Sequence, residues 1–236
     1  MWIKICGNTT LEDARFAAEA GADAVGFVFA PSPRQVEVDL ARKIIPKLPS
    51  QVEKIGVFVD ADFDQIVSTV TGCSLTGVQI HRASNALLPF QLREHFAHSP
   101  GHLKILLALH YKEQGRQFEN QLLALSGNDS PLDGVLVDSS TKQAVGGTGT
   151  SFNWAAAQSS FLRAAPHLRL IAAGGLAPEN VKQAIHVLRP WGVDVVSGVE
   201  SAPGKKDPSR VLAFIQAAHQ AASETIEAPV AGLSGS

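Results

Sequence analysis

Short, almost uninterrupted apolar runs alternate along the chain with longer stretches in which apolar residues recur at helical spacing, nearly from end to end. The runs at residues 2–6, 23–29, 54–59, 77–80, 103–109, 133–137, 168–173 and 193–196 are strand-sized. Continuous rather than alternating apolar character suits strands buried on both faces of a parallel sheet. Between them, LEDARFAAEAG sets Leu11, Ala14, Ala18 and Gly21 on one helical stripe, with Thr10 positioned as N-cap and Gly21 as C-cap. DADFDQIVSTVTG has an acidic first turn and ends on Gly72; APENVKQAIHVL carries Pro178 near its start, where a missing N–H is tolerated.

Eight strands separated by helix-length crossovers predict an α/β fold: a single parallel (β/α)₈ TIM barrel over residues 1–222, an architecture that usually takes about 250 residues. A doubly wound sheet is the competing arrangement. Helical signal is weak over 110–132 and 140–167, where a long loop or a short helix is expected in each. From Ser223 onward, SETIEAPVAGLSGS lacks periodicity and reads as a flexible, functionless tail, 223–236.

Composition narrows the function classes. With 45% hydrophobic and 18% charged residues, the 236-residue chain can bury a large core. Lys plus Arg total 20 against 22 for Asp plus Glu, so no overall positive field favours nucleic acid or an anionic membrane, and an anionic ligand must be held locally. Two distant cysteines, Cys6 and Cys73, argue against a disulfide scaffold or zinc module and fit a reducing cytoplasm. MWIKICGNTT leaves no room for a leader, and no apolar run approaches the roughly 20 residues needed to span a bilayer. The expectation is a cytoplasmic protein without nucleic-acid or membrane partners.

In such a barrel, residues at strand C-terminal ends face the substrate. Cys6 ends strand 1: it is either a small buried hydrophobe or, where its surroundings lower the thiol pKa, a base or nucleophile. Asp138 ends strand 6 directly after the apolar run LDGVLV, where a carboxylate is costly unless paired or used. Asp133, at the other end of that strand, is expected to be structural. Three glycine segments follow strands 6, 7 and 8: GGTGTSF, AAGGLAPENV and VSGVES. Each alone is a tight turn, but in this order they suggest a phosphate cradle of backbone N–H groups. None matches a dinucleotide fingerprint or P-loop, which disfavours NAD and ATP. Arg34, stiffened by Pro31 and Pro33, is either a clamp for a carboxylate or a solvated loop residue. Gln79 and His81 share one face of strand 4 and are expected to line the pocket rather than catalyse. His95, His98 and His102 have no carboxylate at ligand spacing and read as a solvated helix end, so no metal site is expected. Cys73 is expected to pack.

The segments KICGNTTLEDA, GADAVGFVFAPSPRQV, GVFVD, VQIH, VLVDS, GGTGTSFNW, AAGGLAPENV and DVVSGVESAPGKKD, kept in order from about residue 2 to 216, resemble phosphoribosylanthranilate isomerases of tryptophan biosynthesis. The resemblance implies a (β/α)₈ enzyme, a monomer or homodimer, that performs an Amadori rearrangement on a small phosphosugar–anthranilate substrate with no metal or organic cofactor. By motif match, Asp138 is the general acid and Cys6, as thiolate, the general base. Arg34 holds the anthranilate carboxylate, and Gly147, Gly149, Gly174, Gly175, Ser197 and Gly198 surround the phosphate. Opposite protonation states at one pH call for an apolar setting around Asp138 and a polar or positive neighbour for Cys6, with Lys4 on the same strand face. The chain departs from the family pattern at Arg82 (usually Gly), at Val196 with Ser197 (usually two serines) and at Asn153 (usually Asp); these bear on affinity rather than on the acid or base. The alternatives are the related aminoaldose-phosphate isomerase of histidine biosynthesis, whose strand-1 base resembles an aspartate, and a barrel that binds a phosphorylated anion without turnover.

Overall fold

The computed structural model describes residues 1–81, 86–110, 116–125, 127, 129–138 and 154–227. Eight parallel strands, β1 (Trp2–Ile5), β2 (Ala24–Val28), β3 (Glu53–Phe58), β4 (Gly77–Ile80), β5 (Lys104–His110), β6 (Gly134–Asp138), β7 (Arg169–Ala173) and β8 (Gly192–Val195), pair in chain order and close β8 onto β1. Outside them run α1 (Leu11–Glu19), α2 (Val38–Ile44), α3 (Phe63–Cys73), α4 (Leu88–His95), α5 (Arg116–Leu125), α6 (Trp154–Ala164), α7 (Val181–Leu188) and α8 (Pro208–Glu227). A small antiparallel pair, β9 (Glu200–Ala202) and β10 (Lys205–Lys206), precedes α8. The predicted barrel is therefore observed, and among the described residues no helix is long and apolar enough to cross a membrane.

Strand periodicity divides the buried residues into two sets. Outward positions such as Ile3, Ile5, Val25 and Phe27 join the layer between barrel and helices. Inward positions Trp2, Ala24, Ile55, Leu106, Ala108, Leu136, Ile171 and Ala173 fill the lumen as a separate cluster. At its N-terminal end, Trp2 and Trp191 stack with centroids 5.2 Å apart, and the Lys104 ammonium lies 5.1 Å and 5.2 Å from the two ring centres. Glu53 accepts from Trp2 Nε1 at 3.1 Å and from Lys104 Nζ at 2.7 Å. This plug closes the bottom of the barrel.

Asp133 belongs to the same stability face. Its Oδ2 accepts from the N–H of Ile105 at 2.7 Å and from Arg93 at 2.6 Å, and Oδ1 lies 2.6 Å from His102 Nε2. Burial alone would push this carboxyl up, but those donors hold it below the usual carboxylate range. Asp133→Ala is expected to cost about 1–3 kcal/mol in urea unfolding with turnover retained. The native pKa is depressed, so the contribution is fully present above the unfolded value of about 4 and fades as pH falls through the native value; the gap to wild type should narrow in acid.

Local signals succeed where the partner is close in sequence. Thr10 caps α1, accepting from the N–H of Asp13 at 3.1 Å, and Gly21 follows that helix at φ +103°. Gly72 does not end α3. The helix runs to Cys73 and stops on Ser74 in the left-handed region, while the bare Cα of Gly72 admits Arg42, whose Nη2 would lie 2.9 Å from an added Cβ. The weak segments hold helices of ten and eleven residues, α5 and α6. α8 also extends five residues into the stretch read as tail, where Thr225 Oγ1 donates to the carbonyl of Ala221 at 2.8 Å and Glu224 pairs with His186 of α7 at 3.2 Å. Residues 228–236 lie outside the described residues.

Candidate active site

A cavity of about 360 Å³ opens at the C-terminal ends of the strands, within the usual range for a small-molecule site. Its wall brings together Cys6, Arg34, Gln79, His81, Asp138, Gly174, Gly175 and Ser197 from residues scattered over the whole chain. Gly147 and Gly149, like Arg82 and Asn153, lie outside the described residues. Cys6 follows β1, and Asp138 ends β6, three strands away around the ring.

Asp138 is half-buried and in register with Ala173 of β7. Leu136, Ala108 and Ala173 line the same cavity and provide an apolar floor. Cys6 is buried, with its N–H donated to the carbonyl of Val195 at 2.9 Å. Burial pushes the Cys6 thiol up; Lys4 is the strongest opposing influence, Asp194 adds to the rise, and Lys206 opposes it. The positive neighbour expected for Cys6 is thus Lys4, itself fully buried.

Lys4 also orders the β4 side chains. An ammonium only donates, so its contact with Gln79 Oε1 fixes the amide orientation. Gln79 Nε2 then donates to His81 Nε2 at 2.8 Å, which leaves the His81 proton on Nδ1. Gln79 is 2% exposed, and its role is to support His81 and Lys4 as much as to line the pocket.

Arg34 stands at the rim, but its fork already meets a carboxylate: Nε donates to Glu200 Oε1 at 2.8 Å and Nη2 to Oε2 at 2.6 Å. Glu200 also accepts from the buried Lys206 ammonium at 3.1 Å. Burial would raise the Glu200 carboxyl, yet Arg34 and Lys206 hold it down. This bracing positions the guanidinium and leaves Nη1 without a hydrogen-bond partner among the described residues. An added Cβ at Gly7, at φ +73°, would lie 2.9 Å from Arg34 Cδ and 3.1 Å from Val196 Cγ1, so the glycine after Cys6 makes room for the Arg34 side chain.

The glycines of the last two loops divide by role. Gly174 and Gly175 have φ of +79° and +65°, and a Cβ on Gly175 would meet nothing within 4 Å. Asn180 ties this loop to the start of α7, accepting from the N–H of Ala177 at 2.8 Å and donating to the carbonyl of Gly175 at 2.9 Å. Gly198 is not part of the cavity wall. A Cβ there would lie 1.9 Å from the Leu176 carbonyl oxygen, so this glycine lets the β7 and β8 loops touch. Ser197 does face the cavity.

Sequence reasoning missed Glu200, Lys206 and Asp194. Asp194 had a usable signal, a carboxylate inside the apolar run of β8 at an inward position; Glu200 and Lys206 were visible only as charges within GVESAPGKKD.

Residues 3–217 match the family model described as N-(5'phosphoribosyl)anthranilate (PRA) isomerase. The chain is 40% identical over 217 residues to the N-(5'-phosphoribosyl)anthranilate isomerase of Geotalea uraniireducens, covering 92% of this chain and 97% of the relative. A crystal structure of phosphoribosyl anthranilate isomerase from Thermotoga maritima aligns with TM-score 0.77 and 37% identity over 93% of this chain and 99% of that one. Another solved isomerase, in complex with reduced 1-(o-carboxyphenylamino)-1-deoxyribulose 5-phosphate, aligns with TM-score 0.75 and 34% identity over the same shares.

Proposed function

The chain belongs to the N-(5'-phosphoribosyl)anthranilate isomerase family and catalyses that isomerisation in tryptophan biosynthesis, and from this premise we propose that Cys6 is its general base and Asp138 its general acid. The observation that carries this reading is the cavity shared by a thiol just after β1 and a carboxyl at the end of β6, with Gly174, Gly175 and Ser197 of the loops after β7 and β8 in its wall. Asp138 donates a proton to the ribose ring oxygen as the C1–O bond breaks, giving an open-chain iminium. The Cys6 thiolate then removes the C2 proton, and the C2–H electron pair forms the C1–C2 double bond of an enolamine. Tautomerisation to the C2 ketone returns a proton to carbon, so atoms and charge balance without an external oxidant or reductant.

Arg34, braced by Glu200, faces the anthranilate carboxylate through Nη1, while Gly174, Gly175 and Ser197 take the phosphate. All the cavity residues named among the described residues come from one chain.

The test is turnover of freshly generated phosphoribosylanthranilate, followed by loss of its fluorescence. Turnover of the histidine-pathway aminoaldose in its place, or binding with no turnover of either compound, would overturn the reading. For the phosphate site, Ser197→Asp is expected to raise KM at least about tenfold with a smaller change in kcat, because a carboxylate in the cradle repels the anion in ground and transition states alike. Steady-state kinetics on the folded variant check this.

A further inference from the structure

Two charged side chains lie in the lumen beneath the cavity, and the acid and base roles do not account for them. Lys4 is 0% exposed and Asp194 5%; Lys4 Nζ lies 3.1 Å from Asp194 Oδ1 and donates to Gln79 Oε1. An apolar pair of similar volume at such a site is often as stable as an ion pair or more so. Stability alone therefore does not explain a lysine and an aspartate inside this barrel.

Lys4 and Cys6 follow each other on the inner face of β1, and Gly26 on β2 brings them together. An added Cβ on Gly26 would lie 2.4 Å from Cys6 Sγ and 2.9 Å from Lys4 Cε. Both side chains occupy the space this glycine vacates, and sulfur and Cε are no further apart than those two distances combined. The charges around the sulfur point the same way. Among the described residues, Cys6 interacts electrostatically with Lys4 on β1, Asp194 on β8, Lys206 on β10 and Arg34 after β2, and Glu200 lies between the last two. Three cations face two carboxylates, and a thiolate at Cys6 balances the set. Burial would strip Lys4 of its proton, but Asp194 and Cys6 keep it charged.

We propose that Lys4 is a positioning residue for the isomerisation: its buried ammonium, anchored by Asp194 and Gln79 and set against Cys6 by Gly26, supplies the positive charge that opposes the burial penalty and brings the thiolate of the base within reach. This inference rests on the reading of Cys6 as the base. Lys4 keeps its protons throughout and forms no bond with substrate.

The experiment is the pH dependence of Cys6 alkylation by iodoacetamide, read by intact mass in a Cys73→Ala background, since Cys73 packs against the carbonyl of Val38 away from the cavity. In folded Lys4→Met the alkylation midpoint is expected to rise by about 1–3 pH units, with the ascending limb of the kcat/KM profile moving equally. An unmoved midpoint in folded Lys4→Met overturns the proposal; should that variant not fold, an unmoved midpoint in folded Lys4→Gln, which removes the charge but keeps a polar side chain, overturns it instead. Retained turnover in Cys6→Ala would remove the base assignment whatever Lys4 does. Lost turnover there, with no alkylation shift in Lys4→Met, would remove only the role of Lys4.

Discussion

Cys6→Ser is expected to lower kcat by about 10²- to 10⁴-fold, the range contributed by a well-placed general base. The substitution keeps the shape of the side chain and the N–H donated to the Val195 carbonyl, and it relieves rather than adds crowding against Gly26. What changes is the proton: a hydroxyl gives it up far less readily than a thiol, and the charge of Lys4 that favours a thiolate is too weak to produce an alkoxide at neutral pH. KM should stay within a few-fold, because the carboxylate clamp and the phosphate loops are untouched. Single-turnover fluorescence decay is the decisive measurement, since it isolates the chemical steps from product release. A decay within tenfold of wild type would show that some other group takes the C2 proton.

The strands were legible because each is buried on both faces, so that composition alone marks it; all eight fall within about two residues of the runs read from the sequence, the usual uncertainty of element ends. The candidate site was legible wherever it depends on strand ends, since topology carries Cys6, His81, Asp138 and Gly174 to one rim whatever the helices do. Lost from view were pairings between distant segments. Arg34 and Glu200 are 166 positions apart, and no local pattern announces that one braces the other. The same limit explains the glycines: Gly26, Gly72 and Gly198 look alike in sequence, yet one accommodates a sulfur and an ammonium stem, one a guanidinium and one a carbonyl of the neighbouring loop. The end of α8 was misread because SETIE lacks an apolar stripe, whereas its support comes from Thr225 bonding back to Ala221 and Glu224 reaching His186.

Asp138→Asn is expected to cost kcat about as much as Cys6→Ser, about 10²- to 10⁴-fold, because the amide matches the carboxyl in shape but its N–H protons are not acidic enough to transfer to the ring oxygen. The double variant separates two ways of arriving at that loss. If protonation and ring opening precede proton removal from C2, the reaction runs through two barriers, and whichever is higher sets the rate. Cys6→Ser/Asp138→Asn should then turn over within about tenfold of the slower single variant, because each substitution raises a different barrier and only the higher one limits the rate. If both groups act in one concerted transition state, their losses multiply instead. The stepwise route is the expected one, because the C2 proton becomes acidic only once ring opening has produced the C1 iminium. A double variant slowed by the product of the single effects would refute that order of events, and an Asp138→Asn variant turning over within tenfold of wild type would dismiss the carboxyl as the acid.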